Sequence, residues 1–397
     1  MNRFLENQVQ GDCCGCSACV EICPKGCLTI GKNGDGFIVP IISNKDACIE
    51  CDLCSKVCPV ENKFQTNYHN KYYGAYNDTP CDIDNSSSGG IFPILARWVI
   101  EKGGVVYGAF LDDEHDLYHI RIIDTRDIKK LQSSKYFQSE IRDTYKTCKA
   151  DLQEGRLVLF TGTPCQVQGL KFYLRKDYEN LFTADVICHG VPSKIMFDAY
   201  VSFLEKKHRG KLVDINFRDK KRNGWSITLR YTMEFANGKR KDYYLISKLS
   251  EYFMAFLSGS ISRESCYSCQ YSSMNRPGDI TMGDFWGYQK KRPDLRHDSG
   301  LSLIIVNSTK GARIFNALKS LGVCFNEVDE ACVEASENKN LYYPTRRPEI
   351  RDVVYEELEK YGFEYITQRY FRKSHTWKNK LKNYLPPVVV NKLKNRK

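Results

Sequence analysis

The sequence has no run of about 18 apolar residues, which argues against a transmembrane helix. Its first ten residues lack the apolar stretch that a secretory signal requires. No G-x-G-x-x-G follows a strand-like segment: Gly34-Asp-Gly36 stops short, and Gly103-Gly104 lacks a third glycine. A Walker-type phosphate loop is missing as well. These absences disfavour an ordinary dinucleotide-binding module and a nucleoside triphosphatase. Acidic residues are missing from the end of the chain, where 365–397 hold ten Lys or Arg and no Asp or Glu. The formal charge of +11 over 397 residues therefore resides in that tail, and 49 basic residues face 48 acidic ones before it. A nearly neutral body lacks the basic face of a nucleic-acid binder, so no nucleic-acid partner is expected.

Cysteine is what the chain has in quantity, with 18. Without an export signal these thiols are expected in the reducing cytoplasm, as metal ligands rather than disulfides. Ten of them precede residue 59 and form an internal repeat. Cys13, Cys16, Cys19 and Cys23 are followed by Pro24; Cys48, Cys51, Cys54 and Cys58 are followed by Pro59, each 35 positions later. Both runs read C-x2-C-x2-C-x3-C-P, the spacing that wraps three thiolates around three corners of a 4Fe-4S cubane and sends the fourth to a neighbouring cluster. One cluster is then expected on Cys13, Cys16, Cys19 and Cys58, the other on Cys48, Cys51, Cys54 and Cys23. Paired zinc knuckles are the competing account, but they need no triple x2 run closed by Cys-Pro. Cys14 and Cys27 fall off the register and read as packed thiols. Residues 8–62 resemble a bacterial two-cluster ferredoxin. Residues 63–71, polar and rich in Asn and Lys, read as a linker.

Beyond residue 71 the pattern becomes a strand–helix alternation. Ser86-Ser-Ser-Gly-Gly90 opens a helix to about residue 101, before a strand at 104–110. Such a turn suits an anion, and equally a plain helix cap. Strands at 157–160 and 184–188 each lead through a tight turn into a helix, the second capped by Ser193 and stopped near Gly210. A strand at 302–307 precedes another helix. Segments 214–217, 225–235 and 240–245 alternate with period two around Asn237-Gly238, a hairpin signal. The expected fold is therefore α+β: a small ferredoxin-like head (1–62), a linker (63–71), a mixed α/β body (72–364) and a basic tail (365–397).

Cys165 and Cys188 lie just past two strand ends, where open α/β sheets gather ligands. Cys266 and Cys269 form a C-x2-C ahead of a strand at 279–283. If those strands are neighbours, the four thiols converge on a third cluster or a zinc ion. Cys81, Cys148, Cys324 and Cys332 read as core.

Several segments together carry a resemblance: Ser134-Lys-Tyr-Phe-Gln-Ser139, Thr161-Gly-Thr-Pro-Cys-Gln166, Ile187-Cys-His-Gly-Val-Pro-Ser193, Phe217-Arg-Asp-Lys220, Cys266-Tyr-Ser-Cys269 and Asp279-Ile-Thr-Met-Gly-Asp-Phe-Trp-Gly287. Residues 72–345 resemble the beta subunit of coenzyme F420 hydrogenase and dehydrogenase. The resemblance implies a flavin-binding body holding FAD and a 4Fe-4S cluster. It places Cys165, Cys188, Cys266 and Cys269 on ligand motifs. It also places Ser88, Gly89, Gly90, Lys135, Gly162, Thr163, Gly283 and Asp284 on motifs lining the flavin. Read from the sequence alone, Lys135 could equally be a solvated surface lysine, and Gly283 and Asp284 a strand-end turn.

The expected function is an iron–sulfur flavoprotein oxidoreductase. It would pass electrons between ferredoxin-type clusters and FAD, and reduce or oxidise a small molecule or a deazaflavin. The expected partner is ferredoxin or another redox protein. His189, beside Cys188, is a candidate proton donor, its unperturbed imidazole titrating near neutrality. The alternative is an electron-transfer subunit serving a partner enzyme, and a weaker one a zinc-bearing scaffold. Trp377, Leu381, Leu385 and Val388 to Val390, set among the tail's cations, suggest peripheral contact with an anionic membrane or an acidic partner.

Overall fold

The computed structural model describes residues 11–66, 68–295 and 297–384. In the head, β1 (Leu28–Lys32) pairs antiparallel with β2 (Ile38–Ile42). The short helices Ala18–Ile22 and Leu53–Lys56 carry the third cysteine of each motif. The 35-residue repeat extends to the backbone. Gly15 and Glu50 both have positive φ (68° and 53°), and so do Ser17 and Asp52 (64° and 57°). Left-handed residues at alternate positions curl each loop tightly enough for consecutive thiols to face inward.

The body strands follow in order: β3 (Lys71–Tyr76), β4 (Val105–Leu111), β5 (Leu117–Ile122), β6 (Val158–Gly162), β7 (Leu181–Val186), β8 (Lys211–Asn216), β9 (Thr228–Glu234), β10 (Arg240–Ile246), β11 (Ile280–Asp284), β12 (Ser302–Val306) and β13 (Cys324–Val328). Eight of them form one sheet in the order β13-β3-β12-β11-β7-β6-β4-β5. Its middle, β4, β6, β7 and β11, is parallel; both flanks are antiparallel. β8, β9 and β10 make a separate antiparallel sheet inserted between β7 and β11. The mixed α/β body expected from the sequence is thus observed.

Alternation along the central strands explains the two cores. Val105, Tyr107, Val158 and Phe160 point to one face, while Val106 and Leu159 point to the other. The second face is covered by the helix Ile91–Glu101, whose Ile91, Ile94, Leu95 and Val99 form its buried stripe. The first is covered by Thr144–Gln153 and Pro164–Leu174, and also by the head, since Cys16, Ala18 and Val57 belong to the same core. Phe37 enters a further core with Phe197 and Tyr200. Burying these head side chains in body cores makes the two parts one packed unit. The expected linker is tied down at three points: Asn275 donates to the Phe64 carbonyl and accepts from the Thr66 N–H, and Asn70 donates to the Met274 carbonyl.

Several expectations shift in detail. The helix Lys194–His208, capped by Ser193, ends on Arg209 in the left-handed conformation (φ 54°), one residue before Gly210. β7 ends at Val186, so Cys188 lies clear of the strand. Cys148 and Cys332 are buried as expected. Cys81 is exposed and Cys324 half-buried, because one sits on the outer side of a five-residue helix and the other on an edge strand. The basic end does not begin as a free tail. The helix Arg351–Ile366 and the π-turn Thr367–Phe371 bury Ile366, Thr367 and Phe371. Beyond them Trp377–Tyr384 is anchored through Asn383, which accepts from the Ile246 N–H and donates to the Tyr244 carbonyl. Trp377 and Leu381 are exposed, whereas Leu385 and Val388 to Val390 lie outside the described residues. No helix among the described residues is long and apolar enough to cross a membrane.

Candidate functional site

The parallel strands end on one edge, and the cysteines collect there. Thr163 caps the helix Pro164–Leu174 through a capping box with Gln166, which fixes Cys165 in its first turn. Cys188 follows β7. Cys266 and Cys269 stand on the 3-10 turn Glu264–Ser268 and just past it, ahead of β11. All four line one cavity of about 520 Å³ at the carboxyl ends of β6, β7 and β11. Burial, then repulsion by Cys165 and Cys269, pushes the Cys188 thiol up to about 12; burial and the neighbouring thiols also raise Cys266 and Cys269. Thiols so placed stay protonated until a cation displaces the protons.

The two head sets are brought together in the swapped pairing. One cavity is bounded by Cys13, Cys16, Cys19 and Cys58, another by Cys23, Cys48, Cys51 and Cys54. The Gly15 N–H donates to the Cys13 sulfur, and the Cys27 N–H to the Cys23 sulfur, both at 3.3 Å. Such N–H···S bonds favour a thiolate ligand. Cys14 and Cys27 are thus placed against the ligand sets, not merely packed in a core. The thiols bound spaces rather than points: among the described residues no group of three or more His, Cys, Asp or Glu forms a single-ion site. A cubane requires one thiol at each of four corners, and these donor sets fit that requirement. The sets differ in surroundings. Cys16 is buried in a core shared with the body and Cys19 and Cys58 within the head, whereas Cys48 and Cys51 are exposed.

The large cavity also gathers Ser88, Gly90, Lys135, Gly162, Thr163, Gly283, Asp284 and His189. Gly89 lies behind the wall. Its N–H donates to Ser302 Oγ at 2.9 Å, and a side chain there would strike the Ala75 carbonyl, so glycine is required for packing. Asp284 is held by a cluster that sequence reasoning did not single out. Arg218 pairs with it at 2.6 Å, and Trp225 Nε1 donates to it at 2.7 Å. Arg218 also donates to the Tyr136 hydroxyl and the Ser87 carbonyl. Lys220 reaches the Ile83 and Ser88 carbonyls, and burial brings its ammonium down to about 8. Arg218, Lys220 and Tyr136 sit inside the quoted motifs, which was the available signal. His119 has none beyond its place on β5. It is buried between Ser139 Oγ (2.8 Å) and the Thr161 carbonyl (3.0 Å), and burial pushes its imidazole down to about 4.

His189 opens into the cavity, yet the protein packed round its ring lowers its pKa. Asp284 partly offsets that effect. The His189 carbonyl accepts from the Thr345 hydroxyl.

Lys135 is no surface lysine. Its Nζ donates to the Ala109 and Gln132 carbonyls at 2.9 Å, and burial lowers its pKa to about 7. The unfolded chain therefore holds this proton more tightly, so Lys135 makes stability rise as pH climbs from about 7 towards 10.5. Replacing Lys135 by Met should flatten that rise by on the order of 1 kcal/mol between pH 7 and 9, read as urea midpoints of both proteins. An unchanged slope would contradict the assignment.

Residues 155–330 match the family model that describes the C terminus of the coenzyme F420 hydrogenase/dehydrogenase beta subunit, and residues 12–62 match the 4Fe-4S dicluster domain. Over 293 residues the chain is 21% identical to one F(420)H(2) dehydrogenase subunit from Methanosarcina mazei, covering 68% of this chain and 75% of that one. Over 43 residues it is 44% identical to Ferredoxin-1 of Caulobacter vibrioides, which is 11% of this chain and 33% of the ferredoxin. A solved structure of the F420-reducing NiFe hydrogenase complex from Methanosarcina barkeri aligns with a TM-score of 0.45 at 15% identity, covering 76% of this chain and 97% of that one.

Proposed function

We propose, from the premise that this chain belongs to the coenzyme F420 hydrogenase/dehydrogenase beta subunit family and carries a 4Fe-4S dicluster head, that it is an FAD-dependent iron–sulfur oxidoreductase. It would exchange electrons with ferredoxin or another redox protein and act on a deazaflavin or other small molecule. The observation that carries this reading is the shared cavity: the four body cysteines and seven of the eight flavin-motif residues line one space beside the head. Clusters exchange electrons singly, and a flavin exchanges either one electron or a hydride's two, so a site for both joins one-electron proteins to two-electron metabolites.

The residues divide the work. Cys13, Cys16, Cys19 and Cys58 would hold one cluster, Cys48, Cys51, Cys54 and Cys23 the second, and Cys165, Cys188, Cys266 and Cys269 the third. The turns at Ser88 to Gly90 and at Gly162 to Thr163 lie at the starts of helices, where backbone N–H groups suit a pyrophosphate. Lys135 lines the cavity, and Lys220 stands behind the Ser88 turn, bonded to the Ile83 and Ser88 carbonyls. Asp284, fixed by Arg218 and Trp225, shapes the wall beside the Ser87 to Ser88 turn, which the same Arg218 holds. His189, opening into the cavity with a lowered pKa, would hold a proton at an imidazole nitrogen facing the substrate. Exposed Cys48 and Cys51 make the second head set the face for a redox partner.

Anaerobic purification with iron and flavin assays tests the reading. About twelve irons and one FAD per chain are expected from three clusters and one flavin site. About eight irons would remove the body cluster, and zinc without flavin would overturn the reading. Reoxidation of the reduced protein by a soluble metabolite marks an enzyme with its own substrate; reoxidation only by another protein marks an electron carrier.

A further inference from the structure

One head cysteine outside both ligand sets occupies the seam between head and body. The Cys14 side chain lies beside two other cysteines, Cys16 in the head and Cys165 in the body. Cys14 also lines both the cavity bounded by Cys13, Cys16, Cys19 and Cys58 and the large body cavity. Body side chains clamp the loop that carries it. Arg263 and Ser265 donate to the Cys13 carbonyl at 2.7 and 3.1 Å, Gln138 to the Cys14 carbonyl at 3.4 Å, and Arg263 also to the Ile38 carbonyl.

The helix below is cut to fit. Cys165 and Gly169 stand one turn apart on the same face of Pro164–Leu174. Alanine suits a helix interior better than glycine by about 1 kcal/mol, so a glycine here needs a reason. A Cβ on Gly169 would lie 3.0 Å from Cys16 Cβ, 3.1 Å from Cys16 Sγ and 2.8 Å from the Tyr145 hydroxyl. Gly169 therefore lets a head ligand settle directly onto the helix that presents a body ligand.

We propose that Cys14 is a positioning residue that couples the two centres, its thiol set between the two ligand sets at a seam that Gly169 keeps closed. The inference rests on the cluster assignments above. The step it serves is a single electron leaving the centre on Cys13, Cys16, Cys19 and Cys58, which is oxidised, and arriving at the centre on Cys165, Cys188, Cys266 and Cys269, which is reduced. No bond forms or breaks, no proton moves, and Cys14 remains a thiol. The electron originates from a one-electron donor protein, or from dithionite in the test.

The full chain and its Cys14→Ala, Cys14→Ser and Gly169→Ala variants would be purified without oxygen, assayed for iron, mixed with dithionite and freeze-quenched for electron paramagnetic resonance. Unaltered protein with no iron would refute the cluster reading itself. With iron intact in every variant, Cys14→Ala and Gly169→Ala should delay reduction of the body centre several-fold behind the head centres and weaken their magnetic interaction. Cys14→Ser, whose hydroxyl keeps the polar contact and nearly the size of the thiol, should recover most of the rate. Unchanged rates and spectra at full iron would overturn the proposal, and so would loss of about four irons from Cys14→Ala, which would make Cys14 a ligand.

Discussion

Cys188→Ser is expected to lower the iron content from about twelve atoms per chain to about eight while leaving the head clusters intact. Cys188 suits this test because it stands in the loop after β7, beside Cys165 and Cys269, and belongs to neither core shared by head and body. Cys16, by contrast, belongs to a core shared by head and body, so its replacement disturbs packing as well as ligation. The loss should be a whole cluster rather than one atom, because three thiols leave a corner of the cubane unheld. Cys332→Ser is the control: that thiol is buried in a different core, and its change should leave the iron count at about twelve. The decisive readout is iron per chain with the reduced-state spectrum. Retention of about twelve irons in Cys188→Ser would remove the body quartet as a ligand set.

How much of this was legible beforehand depended on whether the signal was local. The head's repeat was readable to the residue, because cluster spacing constrains consecutive positions, and the same 35-residue offset recurs in the backbone at Gly15 and Glu50. β4, β6, β7, β11 and β12 were legible as short apolar runs bounded by turns. β3, β5 and β13 were not, since they flank the sheet and mix polar residues with apolar ones. The convergence of Cys165, Cys188, Cys266 and Cys269 was conditional on strand adjacency, which β7 lying between β6 and β11 supplies.

The contacts that shape the site were the least visible. Arg218 and Asp284 are 66 positions apart, and Arg276 and Asp185, a fully buried pair at 2.6 Å, are 91 apart. No periodicity encodes such pairs. They arise when the inserted β8–β10 unit and the loop before β11 fold back over the strand ends. The basic end misled for a related reason. Its charge marked a basic tail, while Ile366 and Phe371 fill a core shared with residues more than 100 positions earlier, among them Phe197 and Tyr252.

Asp284→Ala should cost about 3–5 kcal/mol of stability and empty the proposed flavin site while sparing the iron, because it strands a buried cation. The Arg218 side chain is 2% exposed, and Asp284 is the carboxylate paired with it. That pair, after burial, dominates the charge balance of the guanidinium, whose proton Asp284 holds more firmly than usual. With the carboxylate gone, the charge remains in place with only the Tyr136 hydroxyl and backbone carbonyls as acceptors, and Trp225 loses the partner of its indole N–H. The Trp225–Trp286 stack, with ring centroids 4.0 Å apart, then has no polar anchor at the cavity wall. Asp284→Asn separates charge from shape. Its amide oxygen can still accept from Trp225, so the stack should stay and part of the flavin with it, while the unpaired guanidinium still lowers the urea midpoint. Iron per chain should change in neither variant, because the cysteine sets do not depend on this wall. An Asp284→Ala protein that unfolds at the parent's urea midpoint, or keeps one flavin per chain, would show that the Arg218–Asp284–Trp225 cluster does not build the site.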